Sequence, residues 1–306
     1  MSGFKPLLPH IILPKENRGP NKPTPGPKNV LSVSAMIRDN LTLSSWLLFG
    51  GLLQGIVITT LGPMTLIPTA VVILYRVIDH FLMATGIIRN RYMDGVLHTK
   101  FSGQYPRADG SFAADPAAES VCVFLLGARC NHPLGILAPG VRELSDKTQA
   151  MVDAMTADSE RYGVLGTSSW IKREEAASNE LMFMFYLRDY ESLHRFAHDS
   201  LHMEGVQWWS KIVKDHPYVA IYHETYNIPK GHWENIYINS HPTGMGNTWF
   251  PLKGDEKGSE GVNGFSRSVV DARSGALRSA AKRLQFKWLE AAEKEGNDLY
   301  DKTFIH

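Results

Sequence analysis

Residues 181–226 read LMFMFYLRDYESLHRFAHDSLHMEGVQWWSKIVKDHPYVAIYHETY, and the changes of hydrophobic period within them decide the fold. Leu181, Phe183, Phe185 and Leu187 alternate with Met182, Met184 and Tyr186, so a strand here is apolar on both faces and needs cover on both. Asp189 stands where an N-cap belongs, Glu191 falls in the first turn after it, and Leu193 and Phe196 follow at helical spacing. Asp199 can cap a second helix after a break at Ala197. From Tyr218 to Tyr226 alternation returns. Val219, Ile221, His223 and Thr225 share one face and Tyr218, Ala220, Tyr222 and Glu224 the other, so only one of His223 and Glu224 can point into a given cavity.

Upstream, Val121 to Leu126 reads as a strong strand, and 131–140, with two prolines and two glycines, as a loop. Leu144, Thr148, Met151, Val152 and Met155 recur at turn intervals, predicting an amphipathic helix over 141–162. Val164 to Ile171 is a weaker strand and 172–179 a polar connection. The order β-α-β-β-α-β is the ferredoxin-like α+β arrangement, with two helices on one face of a four-stranded antiparallel sheet. The other face, also apolar, needs a second layer. A second copy, giving a face-to-face homodimer, is the simplest one, and the N-terminal hairpin or C-terminal tail is the alternative.

The flanks divide by composition. Residues 1–40 hold seven prolines up to Pro27 and read as a disordered arm; a secretory signal would place its apolar core closer to Met1. No charge occurs from Leu41 to Tyr75, and breaks at Gly62, Pro63 and Pro68 divide 41–90 into helices at about Leu43–Leu61 and Leu66–Ile87. A membrane helical hairpin is the leading reading; one span plus an interfacial helix, since Arg76, Asp79 and His80 are costly in lipid, and a buried soluble hairpin both remain open. Lys28, Arg38, Arg89 and Arg91 favour cytosolic flanks, on the endoplasmic reticulum or another internal membrane. Residues 91–118 are expected to be a linker, 119–250 the barrel domain, and 251–306 a mobile loop followed by a helix over about 272–295. Trp233, Ile236, Tyr237 and Ile238 predict a further extended segment, an edge strand or a lid.

A net charge of +1 and the lack of a basic aromatic stripe argue against nucleic acid as a partner. Cys122 and Cys130 form neither a disulfide framework nor a zinc motif. No Rossmann, Walker or nucleophile-elbow signature occurs. Five histidines fall between His194 and His223, and imidazole serves both as a proton shuttle and as a haem-iron ligand. His202, His223, Glu224 and His198 are therefore the candidate catalytic residues, with no metal site assigned. Trp208, Trp209, Tyr186, Tyr222 and Phe185 are candidate walls or hydrogen-bond donors for a lipophilic substrate, although core packing is the first reading of both tryptophans.

The run DYESLHRFAHDSLHMEGVQWWSK, followed by VAIYHETYNIPKGHWENIYINSHPTGMGN, resembles a monooxygenase-like family of the dimeric α/β-barrel superfamily, found in bacteria and in fungal secondary-metabolite clusters. The resemblance covers about residues 118–248. It implies a barrel dimer that oxidises a lipophilic aromatic, polyketide- or terpenoid-like intermediate, either without a cofactor or with haem. Dehydratases and cyclases share the scaffold, so the fold does not choose the reaction. A non-catalytic membrane scaffold or lipophile carrier is the alternative from another class.

Overall fold

The structure is a computed structural model and describes residues 3–18, 33–172, 180–253 and 262–285. In chain order the elements are β1 (Ile11–Ile12), α1 (Val33–Asp39), α2 (Leu43–Leu61), α3 (Leu66–Ala84), β2 (Leu97–Gly103), β3 (Val121–Cys130), α4 (Val141–Ala157), β4 (Val164–Lys172) and β5 (Glu180–Leu187). They continue as α5 (Tyr190–Ala197), α6 (Ser200–Ile212), β6 (Val219–Ile228), β7 (Tyr237–Ser240), β8 (Trp249–Lys253), β9 (Val262–Arg267), β10 (Val269–Asp271) and α7 (Ala280–Leu284).

Strands β4-β5-β3-β6 form one antiparallel sheet in that order, which with α4 and the α5–α6 pair is the ferredoxin-like βαββαβ topology. The alternation in the sequence becomes two cores. Cys122, Val164, Phe183, Phe185 and Leu187 face the helices and pack with Val152, Met155, Leu193 and Phe196. Val121, Leu165 and Tyr186 face the other way and pack under Tyr105, Trp233, Met245 and Phe250. Part of the second layer expected from another copy is thus supplied by the same chain. The rest of that face stays open, with Trp170 51% exposed.

Long-range pairing corrects several local expectations. The expected linker 91–118 contains β2, which lies between β10 and β7, and its Phe101 is fully buried. Residues 3–18 of the expected disordered arm add β1 to the edge of β9, Pro6 bridges Val270, and Met36 of α1 enters the main core. Proline suits such an edge because it has no amide to leave unpaired. Trp233 is buried in the second core, so this segment is not a lid; of the two expectations the edge strand holds, with β7 at the edge of the β10-β2-β7 sheet and paired to β2. Of the mobile loop expected to open the 251–306 segment, residues 251–253 lie in β8 and 262–267 in β9, which pair; residues 254–261 lie outside the described set. Of the expected helix over 272–295, the described part holds only α7, and 286–306 also lie outside it. Helix α4 ends at Ala157, five residues before its expected end.

Helices α2 and α3 are both long and apolar enough to cross a membrane. None of the residues of α2 is buried, and in α3 only Met83 is.

Candidate active site

A cavity of about 400 Å³ lies between the helix-facing side of the sheet and α4, α5 and α6. Its floor includes Phe124, Leu126, Phe185, Ile221, His223 and Thr225, and its helical wall includes Met151, Tyr190, Leu193, His194, His202, Trp208 and Trp209. A volume of this order suits a small organic molecule. Gly205 of α6 faces Met151 of α4: a Cβ there would stand 2.1 Å from Met151 Cε, and that flexible side chain would have to shift.

The break between α5 and α6 orients the key imidazole. In an unbroken helix the Ala197 carbonyl would accept from the amide of Leu201. Here the Leu201 amide donates to Asp199 Oδ1 at 3.1 Å, and the freed Ala197 carbonyl lies 2.8 Å from His202 Nδ1. A carbonyl only accepts, so Nδ1 carries the hydrogen, and in the neutral ring Nε2 keeps its lone pair. Nε2 makes no hydrogen bond among the described residues. Asp199 is held below the usual carboxylate range, first by the Leu201 amide and then by the Tyr162 hydroxyl, which donates to it at 2.9 Å.

His223 reaches the same cavity from the sheet, its ring 5.8 Å from that of Phe124. Of the expected residues, the structure therefore brings together His202, His223, Trp208, Trp209 and Phe185. It separates the other four. Glu224 pairs across the sheet with Leu125, on the side away from the helices, and accepts a hydrogen bond from Tyr226. Tyr222 lies on that same side and donates to Glu180 at 2.9 Å. Glu180 stays below its usual range: burial opposes its charge, but hydrogen bonds from Tyr222, Lys172 and Arg129 outweigh that. Tyr186 sits in the second core, where burial pushes its phenol up to about 12. His198 caps the end of α5, donating from Nδ1 to the His194 carbonyl at 2.9 Å, and does not line the cavity.

Three lining residues escaped sequence reasoning. His194 stands against Tyr190 with ring centroids 4.5 Å apart, and Lys147 Nζ lies 5.4 Å from the centre of the Trp208 ring. Among the described residues Lys147 is the one lysine or arginine lining the cavity, and no Asp or Glu lines it. Clustering could have flagged His194; nothing local flags Lys147 or Tyr190. Cys122, in the main core, is pushed up to about 11, chiefly by burial, and stays a thiol at neutral pH. No group of His, Cys, Asp or Glu that could hold a metal ion occurs among the described residues.

Residues 121–245, the span that builds this sheet and its helices, match the family model "Monooxygenase af470-like". Monooxygenase af470 from Aspergillus fumigatus is 31% identical over 268 residues, covering 86% of this chain and 95% of that protein. The chain belongs to the monooxygenase af470-like family. It is accordingly a monooxygenase-like enzyme, with the reaction type left open. Among solved structures, a dimeric ferredoxin-like protein from an uncultured marine organism is 9% identical, with a TM-score of 0.27, over 36% of this chain and 96% of its own. SnoaB, a cofactor-independent oxygenase from Streptomyces nogalater, is 10% identical, with a TM-score of 0.24, over 34% of this chain and 90% of its own. An aldoxime dehydratase bound to butyraldoxime is 16% identical, with a TM-score of 0.33, over 61% of this chain and 43% of its own. These likenesses are too slight to carry weight, and the fold assignment rests on strand order and register.

Proposed function

We propose that this monooxygenase-like enzyme acts on a lipophilic aromatic or polyketide-type intermediate of secondary metabolism, bound in the cavity between sheet and helices. The observation that carries the reading is an apolar hollow of about 400 Å³ in which His202 is fixed through Nδ1 with Nε2 unbonded. In the cofactor-free form, His202 Nε2 removes the proton of a phenol or enol, and the electron-rich substrate anion then reduces dioxygen. One oxygen atom bonds to a ring carbon, which loses its hydrogen. The O–O bond breaks and the second oxygen leaves as water with that hydrogen and the phenolic proton, so the phenol becomes a quinone. His223 is the second proton carrier, and Lys147 stabilises the anion. The apolar walls exclude water and favour charge on the substrate next to the one ammonium.

The hairpin α2–α3 anchors the enzyme in an internal membrane, with Arg38, Arg89 and Arg91 on the cytosolic side. Helix α2, at roughly 28 Å for its length, matches the bilayer core. The open part of the outer sheet face, around Trp170, Met182, Met184 and Leu125, is the surface of a homodimer; Trp170→Glu should give monomers in sedimentation if so.

Feeding isotopically labelled dioxygen to a host that makes this protein, and comparing its metabolites with those of a host making His202→Ala, tests the chemistry. One labelled atom per product molecule, absent with the variant, is expected. A product with unchanged oxygen content and a Soret band on the purified protein would instead mean a haem-dependent dehydratase or cyclase. Identical metabolites from both hosts would mean a carrier without catalysis.

A further inference from the structure

The hairpin is tied to the catalytic domain at a particular loop. Asn40, two residues before the N-cap of α2, accepts at Oδ1 from the Ile136 amide at 2.8 Å and approaches the Leu134 carbonyl through Nδ2 at 3.4 Å. The loop so held presents Leu134 at 53% exposure and Leu137 at 74%. Water is a poor environment for two exposed leucines three residues apart on one short loop. At the start of α2 Trp46 donates its indole N–H to the Arg38 carbonyl at 2.8 Å, fixing an aromatic ring at the end of the apolar helix, where amphipathic rings settle at a lipid boundary. Beneath the loop lies a small hollow of about 60 Å³, lined by Met36 and Ile136. It shares Leu126, Leu144, Thr148 and Ile221 with the main cavity, so the two adjoin.

We propose that loop 131–140 docks onto the lipid surface at the base of the hairpin, with Leu134 and Leu137 in the acyl-chain boundary. The small hollow behind it is the vestibule through which a lipophilic molecule passes from the bilayer to the main cavity. This rests on the membrane reading of α2 and α3. It adds an orientation: the loop end of the domain faces lipid, and the exposed side of α4 around Asp153 faces water. Substrate then travels from lipid to His202 without crossing the aqueous phase.

Full-length protein is reconstituted into phosphatidylcholine vesicles after attachment of a nitrobenzoxadiazole dye to Leu53→Cys on α2, Leu137→Cys on the loop, or Asp153→Cys on α4. The native thiols are both buried and spared the label. Brominated acyl chains should quench the dye at 53 and at 137 and leave it unchanged at 153. Quenching at 53 alone, or equally at all three sites, overturns the docking while the membrane reading stands. No quenching at 53 defeats the membrane reading itself. A second measurement follows the transfer of N-phenyl-1-naphthylamine from vesicles into the protein. The double variant Leu134→Asp, Leu137→Asp alters exposed side chains and should fold, and it should slow transfer about fivefold or more at unchanged final occupancy. An unchanged rate overturns the vestibule.

Discussion

His202 Nδ1 lies 2.8 Å from the carbonyl oxygen of Ala197, a carbonyl that is available only because the helix breaks there and Asp199 takes the amide of Leu201. One local break thus caps a helix, assigns the tautomer of an imidazole and leaves its second nitrogen free. His202→Ala should lower turnover by roughly 10²–10⁴-fold, the usual contribution of a positioned acid–base group. The thermal midpoint should barely move, which differential scanning fluorimetry on the same preparation checks. Asp199→Ala leaves His202 in place but removes what holds the break. Its effect should fall mainly on kcat, with a lower midpoint as well, marking Asp199 as a positioning residue.

Lys147 is the only lysine or arginine in the cavity wall among the described residues, and its Nζ stands over Trp208. Lys147→Met keeps the length and the apolar contact and removes the charge. A long-chain carboxylate should then bind about tenfold more weakly, equivalent to roughly 1.4 kcal/mol, while the alcohol of equal length is unaffected. Quenching of tryptophan fluorescence at Trp208 and Trp209 reads both affinities.

Asp189 caps α5, accepting from the Ser192 amide at 2.7 Å. Burial works against its charge, but hydrogen bonds from Ser192 and Arg188 outweigh this and hold its carboxyl below the usual range. A depressed folded pKa means that the unfolded chain binds the proton first as pH falls. The contribution is therefore complete above the unfolded value, near about pH 3.9, and disappears as pH drops through the folded one. Urea titrations across this acid range should show wild type losing stability faster than Asp189→Asn, whose amide oxygen still caps the helix. Parallel lines for the two proteins would refute this.

Gly264 sits where β1 crosses β9, and a Cβ there would come within 2.3 Å of the Ile11 carbonyl oxygen. That neighbour is backbone and cannot swing aside. Gly264→Ala should destabilise the fold by about 1–3 kcal/mol. Deletion of residues 1–18 should make the same substitution close to neutral, and urea denaturation of the four proteins closes that cycle.

Elements whose stability is local were legible. The caps at Asp189 and Asp199, the strand at 181–187, the break near Ala197 and the two apolar helices lie close to where their residue patterns put them. Helix spacing puts Trp209 with His202 and Trp208 on the neighbouring side, and only the packing of α6 over the sheet brings both tryptophans and His223 to one cavity. Strand β2 was not legible. LHTKFSG has no strong period of its own and becomes a strand only because β7 and β10, more than 130 residues downstream, pair with it.

The amino-acid order by itself determined the βαββαβ core and the apolar hairpin, since periodicity and capping act over a few residues. Tertiary structure alone decided that Glu224, Tyr222 and Tyr186 turn away from the cavity while Lys147, Tyr190 and His194 line it. Alternation says which residues lie together on a face, but which face the helices cover is settled only by packing between distant segments. The chain's own β2 and β7–β10 layer takes part of one face, and the hollow forms on the other.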